Sequence, residues 1–355
     1  MKTILVTGGT GFIGSHTIIS LIERGFNVYT VDSNINSNKE VLDKIHKLFG
    51  NKIKNRLKFF YGDISNSVLL DKIFNTALLE KTRIHAVIHF AALKSSLESI
   101  KNPLLYWDNN VNGTIKLLKK MDFYDCRTLV FSSSAYIYGA SMQKFITEDE
   151  KINPINPYGN TKASIELILS DLYKSNPNIW KIIKLRYFNP IGCHPSGMIG
   201  ELPMGKPNNI FPIIMRVASG KYEKLKIFGN NWPTKDGTCI RDFIHVVDLA
   251  QAHLAAIEYL ENKKSTFKSF NIGTGVGTSV LELVNSFSKV NNVFVPYEFC
   301  SRRNGDVPRL VADSSRANLI LGWIPKYELS TMCLDGWRWQ KTQIPYPRKG
   351  NLDEK

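Results

Sequence analysis

Thr3-Ile4-Leu5-Val6-Thr7-Gly8-Gly9-Thr10-Gly11-Phe12-Ile13-Gly14 is the stretch on which the fold turns. Its first five residues are β-branched or aliphatic and read as a strand, while Ile13 to Arg24 carries a helical pattern. The glycines between them permit a tight turn. They also let backbone N–H groups approach a ligand, so that a pyrophosphate can sit at the helix N-terminus. Taken alone, such glycines serve equally well as a plain strand-to-helix turn. Asp32, closing the next strand-like run from Asn27, supplies the missing context. A carboxylate there suits the ribose hydroxyls of NAD and repels the extra phosphate of NADP.

Working outward, Leu57 to Tyr61, Ala86 to Ala91, Thr128 to Ser133 and Lys181 to Tyr187 also read as strands, several almost wholly apolar. Helical stretches such as Val111 to Met121 separate them. This alternation predicts an α/β fold, a Rossmann-type doubly wound parallel sheet buried on both faces. After Phe188 the texture changes, with Asn-Pro, His-Pro, Leu-Pro, Lys-Pro and Phe-Pro steps crowding residues 189–212. Short strands (Leu225 to Phe228, Phe270 to Ile272) and helices (Val246 to Leu260, Ser279 to Val290) follow. The expected organisation is an NAD-binding domain over 1–188, a smaller α+β substrate domain over 189–345 with room for the chain to cross back, and a polar tail over 346–355.

The composition excludes several function classes. The chain has 355 residues, 43% hydrophobic and 22% charged, ordinary values for a globular protein. Its five cysteines (Cys126, Cys193, Cys239, Cys300, Cys333) form no C-x-x-C pair, so neither a disulfide framework nor a metal clip is expected. Reduced thiols place the protein in the cytoplasm. The opening apolar run is too short for a signal-peptide core, and no run approaches the ~18 apolar residues of a membrane span. The formal net charge of +15 raises the question of nucleic acid, but the lysines are dispersed and no nucleic-acid-binding signature accompanies them. A lysine-rich solvated surface is the expectation, with no nucleic-acid partner.

Tyr158-Gly159-Asn160-Thr161-Lys162 opens a helix just after Pro157, and its spacing puts Tyr158 and Lys162 on one face. An ammonium ~5 Å from a phenol favours the phenolate by ~3 kcal/mol at an effective dielectric of ~20. A tyrosine so lowered can act as a general base. The same spacing is also that of an ordinary surface pair. Ser132-Ser133-Ser134 ends the fifth strand, where ligands bind in open α/β sheets, although serines there also serve as turn or capping residues. Strand-end serine, Y-x-x-x-K and glycine loop together point to one site.

These three motifs resemble the extended, sugar-nucleotide-modifying branch of the short-chain dehydrogenase/reductase superfamily. VTGGTGFIGSHT, VIHFAALKS, YWDNNVNGT, FSSSAYIYG, NPYGNTKASIE, LRYFNPIGCHPSG, PNNIFP, DGTCIRDFIHVVDLA, NIGTGVGTSV and SRRNGD resemble the UDP-glucose 4-epimerase family over residues 5 to 306. The resemblance implies an NAD-dependent isomerase, a cytoplasmic homodimer, that interconverts UDP-galactose and UDP-glucose through a 4-keto sugar, with N-acetylated counterparts as further candidates. It implies that Tyr158 is the base, Lys162 lowers its pKa and holds the nicotinamide ribose, and Ser134 bonds the sugar O4. NAD contacts are implied for Gly8, Gly11, Phe12, Ile13, Gly14, Asp32, Asn36, Ser37, Asp63, Ile64, Phe90, Ala91, Lys94, Asn109, Ser132, Tyr158, Lys162 and Phe188. The uridine diphosphate contacts implied are Asn189, Asn209, Ile210, Phe228, Arg241, Arg303 and Asp306. On their own, the two arginines read equally as surface ion-pair partners and Asn189 as a turn former.

The chain departs from the family pattern in three places. Ala135-Tyr136 follows the serines where a smaller residue often stands. The Lys44 to Arg56 segment is longer than usual and is expected to be a surface extension. Leu310 is expected beside the hexose, where a tyrosine would exclude an N-acetyl group. Rival readings are a 4,6-dehydratase or decarboxylase of the same branch, or a non-catalytic NAD-binding protein. Dehydratases of this branch carry acidic residues after the strand-end hydroxyl, and non-catalytic members tend to lose the tyrosine or the lysine. Here Ala135 follows Ser134, and both Tyr158 and Lys162 are present.

Overall fold

The computed structural model describes residues 1–343 apart from Lys54, Met142, Lys206 and Asn304; the expected tail over 346–355 lies outside the described residues. In chain order the first strands are β1 (Thr3–Thr7), β2 (Asn27–Asp32), β3 (Leu57–Tyr61), β4 (Ile84–His89), β5 (Thr128–Ser132), β6 (Lys181–Tyr187) and β7 (Asn189–Ile191). They are followed by β8 (Leu225–Phe228), β9 (Ile240–His245), β10 (Thr266–Ile272), β11 (Gly277–Ser279), β12 (Tyr297–Cys300) and β13 (Arg309–Leu310). The first six helices are α1 (Phe12–Glu23), α2 (Glu40–Phe49), α3 (Ser67–Leu79), α4 (Ser96–Lys101), α5 (Pro103–Tyr106) and α6 (Gly113–Phe123). The others are α7 (Pro157–Ser175), α8 (Ile210–Ala218), α9 (Val246–Glu261), α10 (Val280–Asn291), α11 (Ser315–Leu321) and α12 (Leu329–Thr342).

Seven parallel strands form one sheet in the order β10-β6-β5-β4-β1-β2-β3. Alternation along β1 sends Ile4 and Val6 to one face, packed with residues of α1 and α9, and Leu5 to the other, packed with residues of α3, α6 and α7. The chain leaves β1 in one direction to β2 and β3, then returns to the opposite side of β1 for β4. Crevices at such reversals, at the carboxyl ends of the strands, are where these sheets bind ligands. Gly8, Asp32, Phe90, Ser132 and Tyr187 all come to that edge through the strand register.

The smaller lobe is built around β9, which pairs with β7, β11 and β13, and its core contains Phe211, Phe243, Phe287 and Trp339. The structure divides the two lobes differently from a simple cut at residue 188. β10 pairs with β6 as the seventh strand of the large sheet, and α9 packs against α1. The Val246 to Leu260 and Phe270 to Ile272 segments, read as parts of the second domain, therefore belong to the first layer. Strand pairing between residues ~80 positions apart leaves no local mark in the sequence.

One further expectation changes. The Lys44 to Arg56 segment is not merely a surface extension: it contains the end of α2 and a 3₁₀ turn, with Ile45 and Ile53 wholly buried. The apolar residues of Asn112–Met121 and Ala163–Leu172 are largely intramolecular cover, since Leu117, Met121, Ile165 and Leu169 are buried together. Apolar residues left exposed on α5, the turn after it, α6 and α7 include Leu104, Leu105, Trp107, Phe123 and Leu167. Among the described residues no helix is long and apolar enough to cross a membrane, and all five cysteines are free.

Candidate active site

The first helix begins without a cap of its own: Gly11 is the N-cap, makes no side-chain capping bond, and no acidic residue stands in the first turn. Its open N–H groups face a groove of about 980 Å³. Gly8 has φ +71°, and a Cβ there would lie 2.8 Å from the Ala91 nitrogen. A Cβ on Gly14 would meet the Gly8 carbonyl oxygen at 2.3 Å. Across the groove, the Asp32 carboxylate accepts from the Thr10 N–H (3.1 Å), the Asn34 N–H (2.9 Å) and the Ser37 hydroxyl (3.1 Å). A bare helix N-terminus and a fixed carboxylate are the donor and acceptor set that an extended dinucleotide needs, so the groove fits NAD.

Of the residues implied for NAD, all but Ser132 and Phe188 line this groove. Ser132 is fully buried and offers its carbonyl to the Lys162 ammonium at 2.8 Å. Phe188 lines the neighbouring cleft instead. Val31, Ser33, Ile35, Gly62, Ala92, Leu93 and Tyr187 complete the groove and were missed, because only their position in the tertiary fold marks them.

The reactive end is set by α7. Asn156 caps the helix by accepting from the Gly159 N–H at 2.8 Å, and Pro157 occupies the first turn. That start places Tyr158 where the groove meets a second cleft of about 1500 Å³, and Tyr158 lines both. Burial lifts its phenol well above the ordinary 10, with Tyr187 adding to the rise and the Ser134 hydroxyl working against it. Lys162 is pushed down to about 7 by the same burial, with Glu166 holding it up in part. The expected lowering of the tyrosine by the lysine, to which a nicotinamide cation would add, is opposed by burial. The Lys162 ammonium bonds the Ser132 carbonyl and lies 4.8 Å from the Phe131 ring centre, and burial dominates both groups.

Beneath these groups lies a network the sequence reading missed. Glu166, one turn beyond Lys162, accepts from Arg186 through both oxygens (3.0 and 2.6 Å) and from the Ser133 hydroxyl at 2.6 Å. Lys184 stands 3.4 Å away. Burial raises the Glu166 carboxyl, but these partners outweigh it and hold the group below its usual range. The network ties β5, β6 and α7 together directly behind Ser134 and Lys162. A Glu four residues after the lysine, and an Arg inside the apolar run of β6, were its only sequence marks.

His89 fastens the glycine turn from the other side, bonding Thr7 at 2.7 Å and Thr114 at 2.8 Å. Burial, and secondarily Lys162, lowers its pKa from 6.5 to about 3. The folded protein therefore keeps this ring neutral where the unfolded chain protonates it. The stability it contributes is complete above about pH 6.5 and is lost progressively as pH falls toward about 3. Between pH 6.5 and 5 the loss should be about 2 kcal/mol. Urea midpoints at the two pH values, in the wild type and in His89→Asn, check this; equal acid sensitivity in both proteins would contradict it.

In the second cleft, Asp306 accepts from Arg303 at 2.9 Å and lies 3.7 Å from Arg241. The Arg303 guanidinium also lies 5.5 Å from the Phe228 ring centre. Asn189, Asn209, Ile210, Phe228 and Ser134 line the same cleft. Lys94 lines both spaces and pairs with Glu201 at 2.8 Å; burial pulls its pKa down, but the carboxylate prevails and holds it above its ordinary value. Among the described residues, no group of three or more His, Cys, Asp or Glu side chains could hold a metal ion.

Residues 5–335 match the family model described as GDP-mannose 4,6 dehydratase. The chain is 46% identical to the UDP-glucose 4-epimerase of Bacillus subtilis strain 168 over 341 residues, covering 96% of this chain and 97% of that protein. It is 47% identical to the UDP-glucose 4-epimerase of Dictyostelium discoideum over 337 residues, 95% of each chain. The chain belongs to the UDP-glucose 4-epimerase family.

Among solved members of that family, the enzyme from Stenotrophomonas maltophila, with bound NAD and formylated UDP-arabinopyranose, superposes with a TM-score of 0.90 at 41% identity. The two chains are covered to 97% and 99% respectively. The Bifidobacterium longum enzyme, in complex with NAD+ and UDP, gives 0.90 at 38% identity, with 96% and 98% covered. One residue implied by the family resemblance does not line the cleft. Leu310 is 6% exposed and packs among Ala135, Ile137, Tyr138, Phe188 and Val307, because its strand β13 pairs with β9. It supports the turn after Ser134 from behind.

Proposed function

We propose that this chain interconverts UDP-galactose and UDP-glucose, with NAD resident in the α1 groove. The observation that carries the reading is the position of Tyr158, the one implied catalytic group that lines both the dinucleotide groove and the arginine-bearing cleft. The diphosphate is gripped by Arg241 and Arg303, whose shared partner Asp306 fixes their orientation. Ser134 and Tyr158 meet the hexose at its 4-hydroxyl. NAD held along Gly8, Gly14 and Asp32 would supply a hydride acceptor and donor for C4, and its positive ring would favour the phenolate. Tyr158 takes the 4-hydroxyl proton as the carbonyl forms and gives it back when the 4-keto sugar, turned over about its bond to the diphosphate, is reduced. Ser134 holds O4 on both passages. Ala135 and Tyr136 follow Ser134 with no carboxylate, which disfavours the elimination of a 4,6-dehydratase.

The exposed side chains Leu104, Leu105, Trp107 and Leu167 support a homodimer through this face. The free cysteines, four of them buried, support a cytoplasmic setting. N-acetylated UDP-hexoses are further candidate substrates. Incubating the purified protein with UDP-galactose and assaying UDP-glucose tests the activity; no product would end the proposal. Because the redox cycle closes on itself, protein purified without added cofactor is expected to carry NAD. Denaturing it and identifying the released dinucleotide checks this, and finding only NADP would overturn the cofactor assignment.

A further inference from the structure

The turn after Ser134 has two sides. Ala135, Ile137 and Tyr138 face inward and pack with Leu310, Phe188 and Val307. Ser134 and Tyr136 face the other way and line the 1500 Å³ cleft. The Tyr136 ring stands edge-on to Tyr158, with centres 5.9 Å apart and planes at 72°. Its phenol is also close enough to Arg303 to interact with it electrostatically. Tyr136 therefore occupies the stretch of wall between the proton-transfer groups and the diphosphate-binding cations. A hexose joined to that diphosphate must lie against this stretch.

The turn itself is held. The Ser134 hydroxyl accepts from the Tyr136 N–H at 3.2 Å. A Cβ on Gly159 would come within 2.9 Å of the Tyr136 carbonyl, so α7 abuts the turn closely. The buried cluster around Leu310 closes it from behind. The backbone that carries the aromatic ring is thus set by packing.

The geometry points to Tyr136 as a specificity-determining residue of the sugar compartment, its ring limiting the bulk of the hexose substituents the site admits. This rests on the proposed epimerase reading.

The test is the ratio of kcat/KM for UDP-N-acetylgalactosamine to that for UDP-galactose, measured in NAD-loaded protein. Tyr136→Thr, and Tyr136→Ser as a second small residue, are expected to raise the ratio about tenfold or more, the scale of an apolar pocket change. Tyr136→Phe keeps the ring and should stay within threefold of wild type. An unchanged ratio in both small variants overturns the proposal. A Phe variant behaving like the Thr variant would also overturn it, by assigning the effect to the hydroxyl. Calorimetric affinities of the same two UDP-sugars read the wall without turnover, and should shift in the same sense. A wild type that binds both sugars but converts neither would defeat the epimerase reading alone, leaving the wall to be judged by the affinities.

Discussion

A Tyr158→Phe protein is expected to fold, to retain NAD and to turn over UDP-galactose ~100-fold or more slowly than wild type, the usual range for a lost general base. The substitution removes one oxygen from a side chain that is 5% exposed, and it keeps the edge-on contact with Tyr136. Nothing in the core has to rearrange. The loss should therefore fall on kcat, since the diphosphate grip of Arg241 and Arg303 lies elsewhere in the cleft. Steady-state kinetics, with NAD content and circular dichroism as controls, decide it. Near-normal turnover in a folded, NAD-loaded variant would remove Tyr158 from the role of base.

The second large effect is on stability. Glu166, Arg186 and Lys184 have side chains only 3%, 5% and 8% exposed. In Glu166→Ala two cations stay buried and lose their common counter-charge. Removing one partner of such a set costs about 3–5 kcal/mol, most of it the penalty of the stranded charge. The expected result is an unfolding free energy, from urea denaturation, lowered by that amount in a chain that still folds at low denaturant. Glu166→Leu combined with Arg186→Met removes charge from both sides and should recover part of the loss. If Glu166→Ala lowered stability by less than about 1 kcal/mol, the network would not be holding β5, β6 and α7 together in the way its hydrogen bonds indicate.

Much of the site was legible before any coordinates, for a physical reason. A dinucleotide groove is made by backbone, and backbone that must approach a ligand or turn with positive φ needs glycine at fixed spacing. Gly8 and Gly14 are held to glycine by contacts of 2.8 and 2.3 Å, so the sequence has to display them. The helix start at Pro157 and the Tyr158–Lys162 spacing are likewise local. What stayed hidden was produced by neighbours distant in the chain. The pairing of β10 with β6 is one such case. The alternation at Ser134 to Tyr138, which turns Tyr136 toward the cleft, is another.

The sequence by itself determined the alternating α/β pattern, the NAD-type loop with its acidic partner, and the shared helical face of Tyr158 and Lys162. Each depends on spacing along one strand, turn or helix, and spacing is written directly in the chain. Only the tertiary structure decided where protonation equilibria stand and which walls a sugar meets. Tyr158 rises and Lys162 falls to about 7 because both are buried at the meeting of two lobes, a desolvation no local spacing encodes. Glu166 becomes the anchor of the site because β5, β6 and α7 converge on one carboxylate, an arrangement that exists only once the sheet has formed.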